Sequence, residues 1–272
     1  MATRQRYYHV KHFDKKLNEL KKAKIDFECT STSYTKKIVT GNEVLFFNDD
    51  GDDNKKVLLL ISAVRSDAKK YLEQHSVEDV QEIETDFFNL LDIIKSDEVI
   101  VKIDLKAAYW EYALKAGIVT KKTNDKFITW YENIDAYYAK QDRLKALGSL
   151  ATTKLTTVYK NGKLVGNKPP HTEKTKGIYM EVCNGIDRLM KDINMNIDGC
   201  KYYYWDCVFV KKEFEQAAID YINSRGYDVS TEETKLEFIK IGDIGYLLST
   251  SDNKIYMTKQ ENKFLLDFED DD

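Results

Sequence analysis

The sequence is poor in the residues that stabilise small secreted proteins. Its 272 residues include 4 cysteines, 4 histidines and 2 prolines, and the cysteines form no Cys-x-x-Cys pair that would indicate a zinc ribbon or a disulfide framework. We therefore expect reduced thiols in a cytoplasmic protein. No stretch approaches the roughly 18 apolar residues of a membrane helix, so we expect a soluble protein that is neither secreted nor bound to a membrane. A G-x-x-x-x-G-K-[ST] loop is also missing, which excludes a P-loop ATPase.

Charge is unevenly distributed along the chain. The formal net charge is −4, but the segment 143–176 holds eight basic residues and a single acid, Glu173, and so carries a net charge of +7. A basic segment in an acidic chain indicates a surface that contacts phosphates, such as a nucleic-acid backbone. The alternative is a lysine-rich loop that is only solvated.

The end of the sequence has the opposite charge. Residues 263–272 are rich in Asp and Glu and are interrupted by Phe264 and Phe268. This pattern resembles the acidic tips with which single-stranded DNA-binding proteins recruit partners, and it predicts a contact with a partner protein. The alternative is a disordered end that keeps the chain in solution.

Hydrophobic periodicity predicts helices and strands throughout the chain. Helices are predicted at 11–23, 57–72, 77–94, 107–116, 133–150, 173–194 and 212–225. Strands are predicted at 25–30, 36–47, 99–103, 202–205, 208–210, 236–241, 244–249 and 254–258, with a hairpin over 155–165 that turns at Asn161-Gly162. The adjacent Pro169 and Pro170 predict a break in an exposed loop. We expect an α+β fold with an N-terminal α/β region at 1–95, a second domain at 96–262 and an acidic tail at 263–272.

Two of the predicted strands carry a carboxylate where the strand ends or turns. The strand at 99–103 leads into Asp104, and the aromatic run at 202–205 leads into Asp206. Carboxylates from neighbouring strands are typical ligands of divalent cations, and Mg²⁺ needs only one or two of them because it keeps several waters. We therefore expect Asp104 and Asp206 to lie side by side. The alternative is a pair of ordinary acidic residues at the ends of two buried strands.

The order of these features resembles the palm and fingers of a family B DNA polymerase, most like the compact, protein-primed viral type. The residues from Asp104 to Trp110 are similar to the family motif D-x-x-x-x-Y-P, with Trp110 in place of the proline. The resemblance implies that Asp104 binds metal and that Tyr109 stacks under the incoming sugar and excludes a 2′-hydroxyl. The run that begins at Tyr202 is similar to Y-x-D-T-D-S, which implies that Asp206 is the second metal ligand and that Tyr204 replaces the other Asp.

Two further motifs extend the resemblance to residue 257. The residues from Arg143 to Ala151 resemble a fingers motif in which a basic residue precedes N-S-x-Y-G, although Gly148 replaces the Asn and no Tyr-Gly follows Ser149. This implies that Arg143 or Lys145 contacts nucleotide phosphates and that Ser149 belongs to the substrate site. The run Lys254-Ile255-Tyr256 resembles the K-x-Y element, which implies that Lys254 reaches the primer end and that Tyr256 lies beside it.

The resemblance implies a fold and a function. The fold would be a palm-like antiparallel sheet flanked by helices, following the N-terminal α/β region. The function would be that of a phage-like nucleotidyltransferase that uses Mg²⁺ or Mn²⁺ to act on DNA, with dNTP and primer–template or single-stranded DNA as partners, in the host cytoplasm if the chain is viral. The alternatives are a non-catalytic DNA-binding or replication-accessory protein on the same scaffold, and a metal-dependent nuclease.

Overall fold

The fold is α+β, as the sequence predicts, with mostly antiparallel sheets flanked by helices. In a computed structural model of the chain, the described residues are 4–32, 36–48, 54–75, 99–172, 174–241, 244–249 and 255–257. The chain forms two compact units, and each unit combines two separate stretches of sequence. Unit 1 consists of 1–81 and 113–182, and unit 2 consists of 82–112 and 183–272. The sequence-based division into 1–95, 96–262 and 263–272 stays a prediction.

The described helices and strands follow one another in mixed order along the chain. The helices are α1 Phe13–Lys22, α2 Asn54–Gln74, α3 Ala108–Lys115, α4 Lys121–Tyr131, α5 Ala136–Gly148, α6 Lys176–Asn196 and α7 Glu215–Ser224. The strands are β1 Arg4–His9, β2 Phe27–Ser31, β3 Lys36–Thr40, β4 Glu43–Asn48, β5 Ile100–Leu105, β6 Thr153–Lys160, β7 Lys163–Thr172, β8 Cys200–Tyr204, β9 Cys207–Lys211, β10 Val229–Thr234, β11 Leu236–Ile241, β12 Ile244–Ser249 and β13 Ile255–Met257.

Unit 1 contains a six-stranded sheet in the order β1-β4-β3-β2-β6-β7. The pair β1 and β4 is parallel and the other pairs are antiparallel. Apolar residues alternate along these strands, so one face of the sheet buries them against α1. The members of this core are Phe13, Phe27, Cys29, Ile38, Leu45 and Phe47. The predicted hairpin between β6 and β7 is confirmed, because Asn161 and Gly162 both have positive φ, at 48° and 71°.

Pro169 and Pro170 correct one prediction. They lie within β7 rather than in a loop. Strand β7 is at the edge of its sheet, where a residue without an N–H can be accommodated because the outer side of the strand has no partner strand. The pairing of β6 with β7 also shifts register between Lys154 and Thr156, opposite the two prolines. Strand pairing is already interrupted at such an irregularity, so the missing N–H groups of the prolines cost fewer hydrogen bonds.

Unit 2 contains a four-stranded antiparallel sheet in the order β10-β5-β9-β8. Its core joins the central strands to α6 and α7, and the buried members include Val101, Ile103, Leu105, Ile186, Met190, Ile193, Val208, Val210, Ala218 and Ile222. Strands β11, β12 and β13 form a separate three-stranded antiparallel sheet, and these are the three strands predicted at the end of the chain.

Several elements differ from the predictions. Helix α4 and strands β1 and β10 were not predicted, and the helix predicted at 133–150 is shorter, as α5 followed by a 3₁₀ turn at Ser149–Ala151. The helix predicted at 77–94 and the acidic tail at 263–272 lie outside the described residues. Within the described ranges, no helix is both long and apolar enough to cross a membrane.

Candidate active site

Strand β5 positions Asp104 on one face of the four-stranded sheet. The strand lies between β10 and β9 and is almost entirely buried. Successive side chains of a strand point to opposite faces, and one set of alternate residues packs in the core of unit 2, namely Val101, Ile103 and Leu105. Asp104 and Lys102 therefore project from the other face. Asp104 is half-buried there, so its carboxylate remains accessible to a ligand.

Asp206 lies beside Asp104 because the hairpin of β8 and β9 turns at that point. Tyr204 pairs with Cys207, so Trp205 and Asp206 form a two-residue loop. The carbonyl of Asp206 accepts a hydrogen bond from the backbone N–H of Leu105 over 2.9 Å, and Cys207 is the residue of β9 directly opposite Asp104. Asp104, near the end of β5, and Asp206, in the loop before β9, are thus within one residue of the same register position.

Two residues close in sequence to these acids have a left-handed backbone conformation. Trp205 has a φ of +57°, and Ala107, which follows the end of β5, has a φ of +55°. Residues with a Cβ rarely adopt this left-handed conformation, and such residues concentrate at functional sites. Trp205 is also 56% exposed, so burial of its indole ring does not explain why a large residue occupies this position. One strained residue therefore lies next to each end of the candidate site.

Both carboxylates act electrostatically on one buried thiol. Cys207 is 4% exposed, and its Sγ contacts the carbonyl oxygen of Tyr204 at 3.2 Å as a weak donor. Burial raises the pKa of the Cys207 thiol, and the charges of Asp104 and Asp206 raise this pKa further, while Lys102 opposes them. Because both charges affect the pKa of one thiol, both acids lie near Cys207, in agreement with the strand register.

Lys102 is a part of this surface that the sequence analysis did not identify. It is 8% exposed, and its Nζ lies 3.8 Å from an Oε of Glu232 on β10. The alternation of β5 places Lys102 two residues before Asp104 and hence on the same face, so the sequence pattern contained the signal. A lysine at this position offers a positive charge near any anion that a metal at Asp104 and Asp206 would hold.

The donor atoms at this site suit a hard divalent cation. Asp104 and Asp206 offer carboxylate oxygens, which Mg²⁺ and Mn²⁺ prefer to nitrogen or sulfur. In the part of the chain that the structure describes, no group of three or more His, Cys, Asp or Glu side chains is arranged to hold a metal ion. A cation at this position would therefore take its remaining ligands from water and substrate, as Mg²⁺ commonly does.

Tyr109, the residue expected to contact the sugar, lies in the same unit. It belongs to the first turn of α3, which begins three residues after β5 ends. Its ring is partly buried and packs against the core of unit 2. The structure thus places Tyr109 close in sequence and in fold to the end of the strand that carries Asp104.

The residues expected to bind phosphate lie in unit 1. The guanidinium of Arg143 lies over the ring of Phe127, 5.2 Å from its centroid. Lys145 forms an ion pair with Asp142 over 3.2 Å. Ser149 is 1% exposed; its hydroxyl donates to the carbonyl of Ala146 and its own carbonyl accepts from Arg65.

The remaining predicted residues are at the end of the chain. Lys254 lies outside the described residues, whereas Tyr256 lies on β13, opposite Leu247 of β12. Of the predicted set, the structure therefore brings the backbones of Asp104 and Asp206 together, and Tyr109 and Tyr256 belong to the same unit.

Comparisons with protein-family models, with curated proteins and with solved structures find no match to this chain. The functional argument consequently depends on the site itself.

Proposed function

We propose that this chain is a metal-dependent nucleotidyltransferase that acts on DNA, with unit 2 as its palm-like catalytic part. The observation that carries the proposal is the hydrogen bond from Leu105 to Asp206, together with the register of Asp104 opposite Cys207. The backbones of two acidic residues of distant sequence position thus meet at the end of β5 and the turn before β9, and both carboxylates act on the thiol of Cys207. Such a pair supports the binding of Mg²⁺ or Mn²⁺, which stabilises the attacking and leaving oxygens of phosphoryl transfer.

Each remaining residue has a proposed role on the substrate. Tyr109, in the same unit as Asp104 and Asp206, checks the sugar of an incoming dNTP. Arg143, Lys145 and Ser149 of unit 1 are kept as the residues that the resemblance assigns to phosphate and substrate binding. Lys254 and Tyr256 meet the primer terminus. The basic segment 143–176 contacts the DNA backbone, so binding weakens with added salt because phosphate contacts release counterions. The reaction takes place in the cytoplasm.

The test is incorporation of labelled dNTP on a primed DNA template, with Mg²⁺ or Mn²⁺ and with EDTA as a blank. We expect incorporation by the wild type and a loss of about 100-fold or more in Asp104→Asn and Asp206→Asn, because a metal ligand contributes several kcal/mol in the transition state. Asp198→Asn is the matched control, since Asp198 is an exposed acid of the same unit. Equal activity in Asp104→Asn and Asp198→Asn would refute the proposal.

One observation favours a second candidate, a non-catalytic DNA-binding or replication-accessory protein on the same scaffold. The hydroxyl and carbonyl of Ser149 are both engaged inside unit 1, so this side chain contributes to packing at a position where the polymerase motif has a substrate residue. DNA binding that persists in Asp104→Asn and Asp206→Asn, with no incorporation by the wild type, would support this candidate. Shortening of the labelled DNA in the same reactions would instead indicate a metal-dependent nuclease.

A further inference from the structure

A second candidate site lies entirely within unit 1. A cavity of about 540 Å³ is lined by the face of the six-stranded sheet that points away from α1, together with residues of α2. Cavities of about 300 to 1,000 Å³ are the usual size of small-molecule sites. The residues used below all belong to unit 1, and the inference does not use Asp104 or Asp206, although Ser149 and Lys154 also belong to the segment to which the proposed function assigns substrate and DNA contacts.

The floor of the cavity is a row of side chains that crosses four strands. Tyr7 pairs with Phe46, Phe46 with Lys37, and Lys37 with Thr30. Residues in register on adjacent strands point to the same face, so the row has a defined order. It begins with two aromatic rings, which stack with centroids 5.2 Å apart and an interplanar angle of 14°, continues with an ammonium group, and ends with a hydroxyl.

The polar end of the cavity is strongly positive. Four cationic residues line it, and none of its described lining residues is acidic; the cations are Lys37, Arg65, Lys69 and Lys154. The lining also includes hydroxyl-bearing residues, namely Thr30, Thr32, Ser62 and Ser66. Cations with neighbouring hydroxyl donors are typical of phosphate sites.

The cations are close enough to act on one another. Lys37 is half-buried, and burial lowers its pKa; the charges of Lys154 and Arg65 lower it further, while Glu28 opposes them. Glu28 itself forms an ion pair with Lys168 over 2.7 Å. Like charges that are gathered in a partly buried cavity destabilise the empty protein, and an anionic ligand relieves that repulsion.

One cation is fixed in place by the fold. The Nη2 of Arg65 donates to the carbonyl oxygen of Ser149 over 2.8 Å, which holds the guanidinium of α2 at the wall of the cavity. A cation that is held in this way loses less conformational freedom when an anion binds. The cavity therefore has a prearranged positive wall on α2 and further positive charge on the sheet, from Lys37 and Lys154.

We propose that this cavity binds a nucleotide, with its phosphates against Lys37, Lys154 and Arg65 and its base against Tyr7 and Phe46. A nucleotide has a polyanionic phosphate group and a planar base. The cationic residues of the cavity suit the phosphates, and the aromatic rings suit the base. The aromatic pair distinguishes it from inorganic phosphates, which would use the cationic end alone.

The test is calorimetric titration of the full chain with ATP, pyrophosphate and adenosine. EDTA is present throughout, so that a metal at Asp104 and Asp206 does not contribute, and the ATP titration is repeated with Asp104→Asn. We expect ATP to bind equally to both proteins, pyrophosphate to bind at least about tenfold more weakly, and adenosine more weakly still, because charged hydrogen bonds contribute most of the affinity.

Substitutions locate the site. Lys37→Gln and Lys154→Gln should each weaken ATP binding by about tenfold, whereas Lys15→Gln is the control, an exposed lysine on α1 of the same unit that does not line the cavity. Because Lys37 is repelled by its neighbours, Lys37→Gln should melt no lower than the wild type. If Lys37→Gln melts at a lower temperature than the wild type, its loss of ATP binding could reflect unfolding, and the ATP affinity of Lys154→Gln then tests the site.

Four results would overturn the proposal. They are the absence of ATP binding, equal binding of ATP and adenosine, equal binding of ATP and pyrophosphate, and equal losses in Lys15→Gln and in the two cavity variants. A single-stranded oligonucleotide that binds more tightly than ATP and is weakened by the same cavity substitutions would assign the surface to nucleic acid and would also overturn it.

Discussion

Asp104 lies on β5 directly opposite Cys207 on β9. Because Asp206 precedes Cys207 and its carbonyl accepts a hydrogen bond from Leu105, the same pairing brings the two acids of the candidate active site together. A sheet with a different strand order would separate them. The predictions below begin with this pair and then turn to the elements that support the fold.

Divalent cations should stabilise the protein through Asp104 and Asp206. A ligand that binds only the native state raises its stability, by about 2.7 kcal/mol at a concentration 100 times its Kd. We therefore expect Mg²⁺ and Mn²⁺ to raise the melting temperature of the wild type and of Asp198→Asn, and to raise it less in Asp104→Asn and Asp206→Asn. Differential scanning calorimetry with and without EDTA measures the shift. Identical shifts in all four proteins would place the responsible cation elsewhere in the chain.

Glycine at position 205 should remove the unfavourable backbone conformation of Trp205. Its φ of +57° is unfavourable for any residue with a Cβ, by about 1 to 2 kcal/mol. Trp205→Gly should therefore be more stable than Trp205→Ala by about 1 kcal/mol, because both lose the indole and only the first removes the Cβ. Urea denaturation of the two variants gives the difference. Equal stability would mean that the loop adopts another conformation in solution.

Asp67 should be a major stabilising residue of unit 1. It is 8% exposed and accepts two hydrogen bonds from Thr120, from the backbone N–H at 3.0 Å and from the hydroxyl at 2.7 Å. Thr120 is the N-cap residue of α4, so Asp67 connects α2 to the start of that helix. Asp67→Ala leaves two partly buried donors of Thr120 without their acceptor and should reduce the free energy of unfolding by about 2 to 4 kcal/mol. Asp125→Ala, at an exposed position of α4, should change it by less than about 0.5 kcal/mol.

Tyr131 should make the fold sensitive to alkali. Its hydroxyl donates to Asp142 over 2.7 Å, and burial together with this carboxylate raises the pKa of Tyr131 far above its ordinary value. A raised folded-state pKa gives a contribution to stability that is complete below the ordinary tyrosine value of about 10 and is lost as the pH rises above it.

The measurement is the free energy of unfolding in urea between about pH 8 and pH 11. This free energy should fall more steeply above about pH 10 in the wild type than in Tyr131→Phe. In that pH range the hydroxyl of Tyr131 keeps its proton in the folded state and releases it on unfolding, and phenylalanine has no such proton. Tyr138→Phe is the control, since Tyr138 is 63% exposed. Parallel pH profiles for the wild type and Tyr131→Phe would contradict the assignment.

Local patterns were sufficient for many of the elements. The Asn161-Gly162 turn was predicted because the type I′ turn needs positive φ at both positions, and both residues have it. The alternation around Asp104 likewise predicted a buried strand with one carboxylate at its end. The prediction for Pro169 and Pro170 was wrong, since the tolerance of a strand for proline depends on whether it lies at an edge, and edge position is a property of the whole sheet.

The candidate site in unit 1 could not have been predicted in the same way. Tyr7, Lys37 and Lys154 are far apart in the chain and have no motif in common. They line one cavity because β1, β3 and β6 belong to the same sheet in a non-sequential order. Lys102, in contrast, lies two residues before Asp104, so strand alternation alone contained the signal for a shared face, although the sequence analysis did not identify it.

The amino-acid sequence by itself determined where the buried strands and their turns lie, because alternation and turn chemistry act over a few residues. It also determined that Asp104 and Asp206 stand at strand ends. Only the tertiary structure decided that these strands are neighbours and that cations from three separate segments meet in one cavity. Pairing between segments about one hundred residues apart depends on which apolar faces are buried together, and that choice is made by the packing of the whole chain.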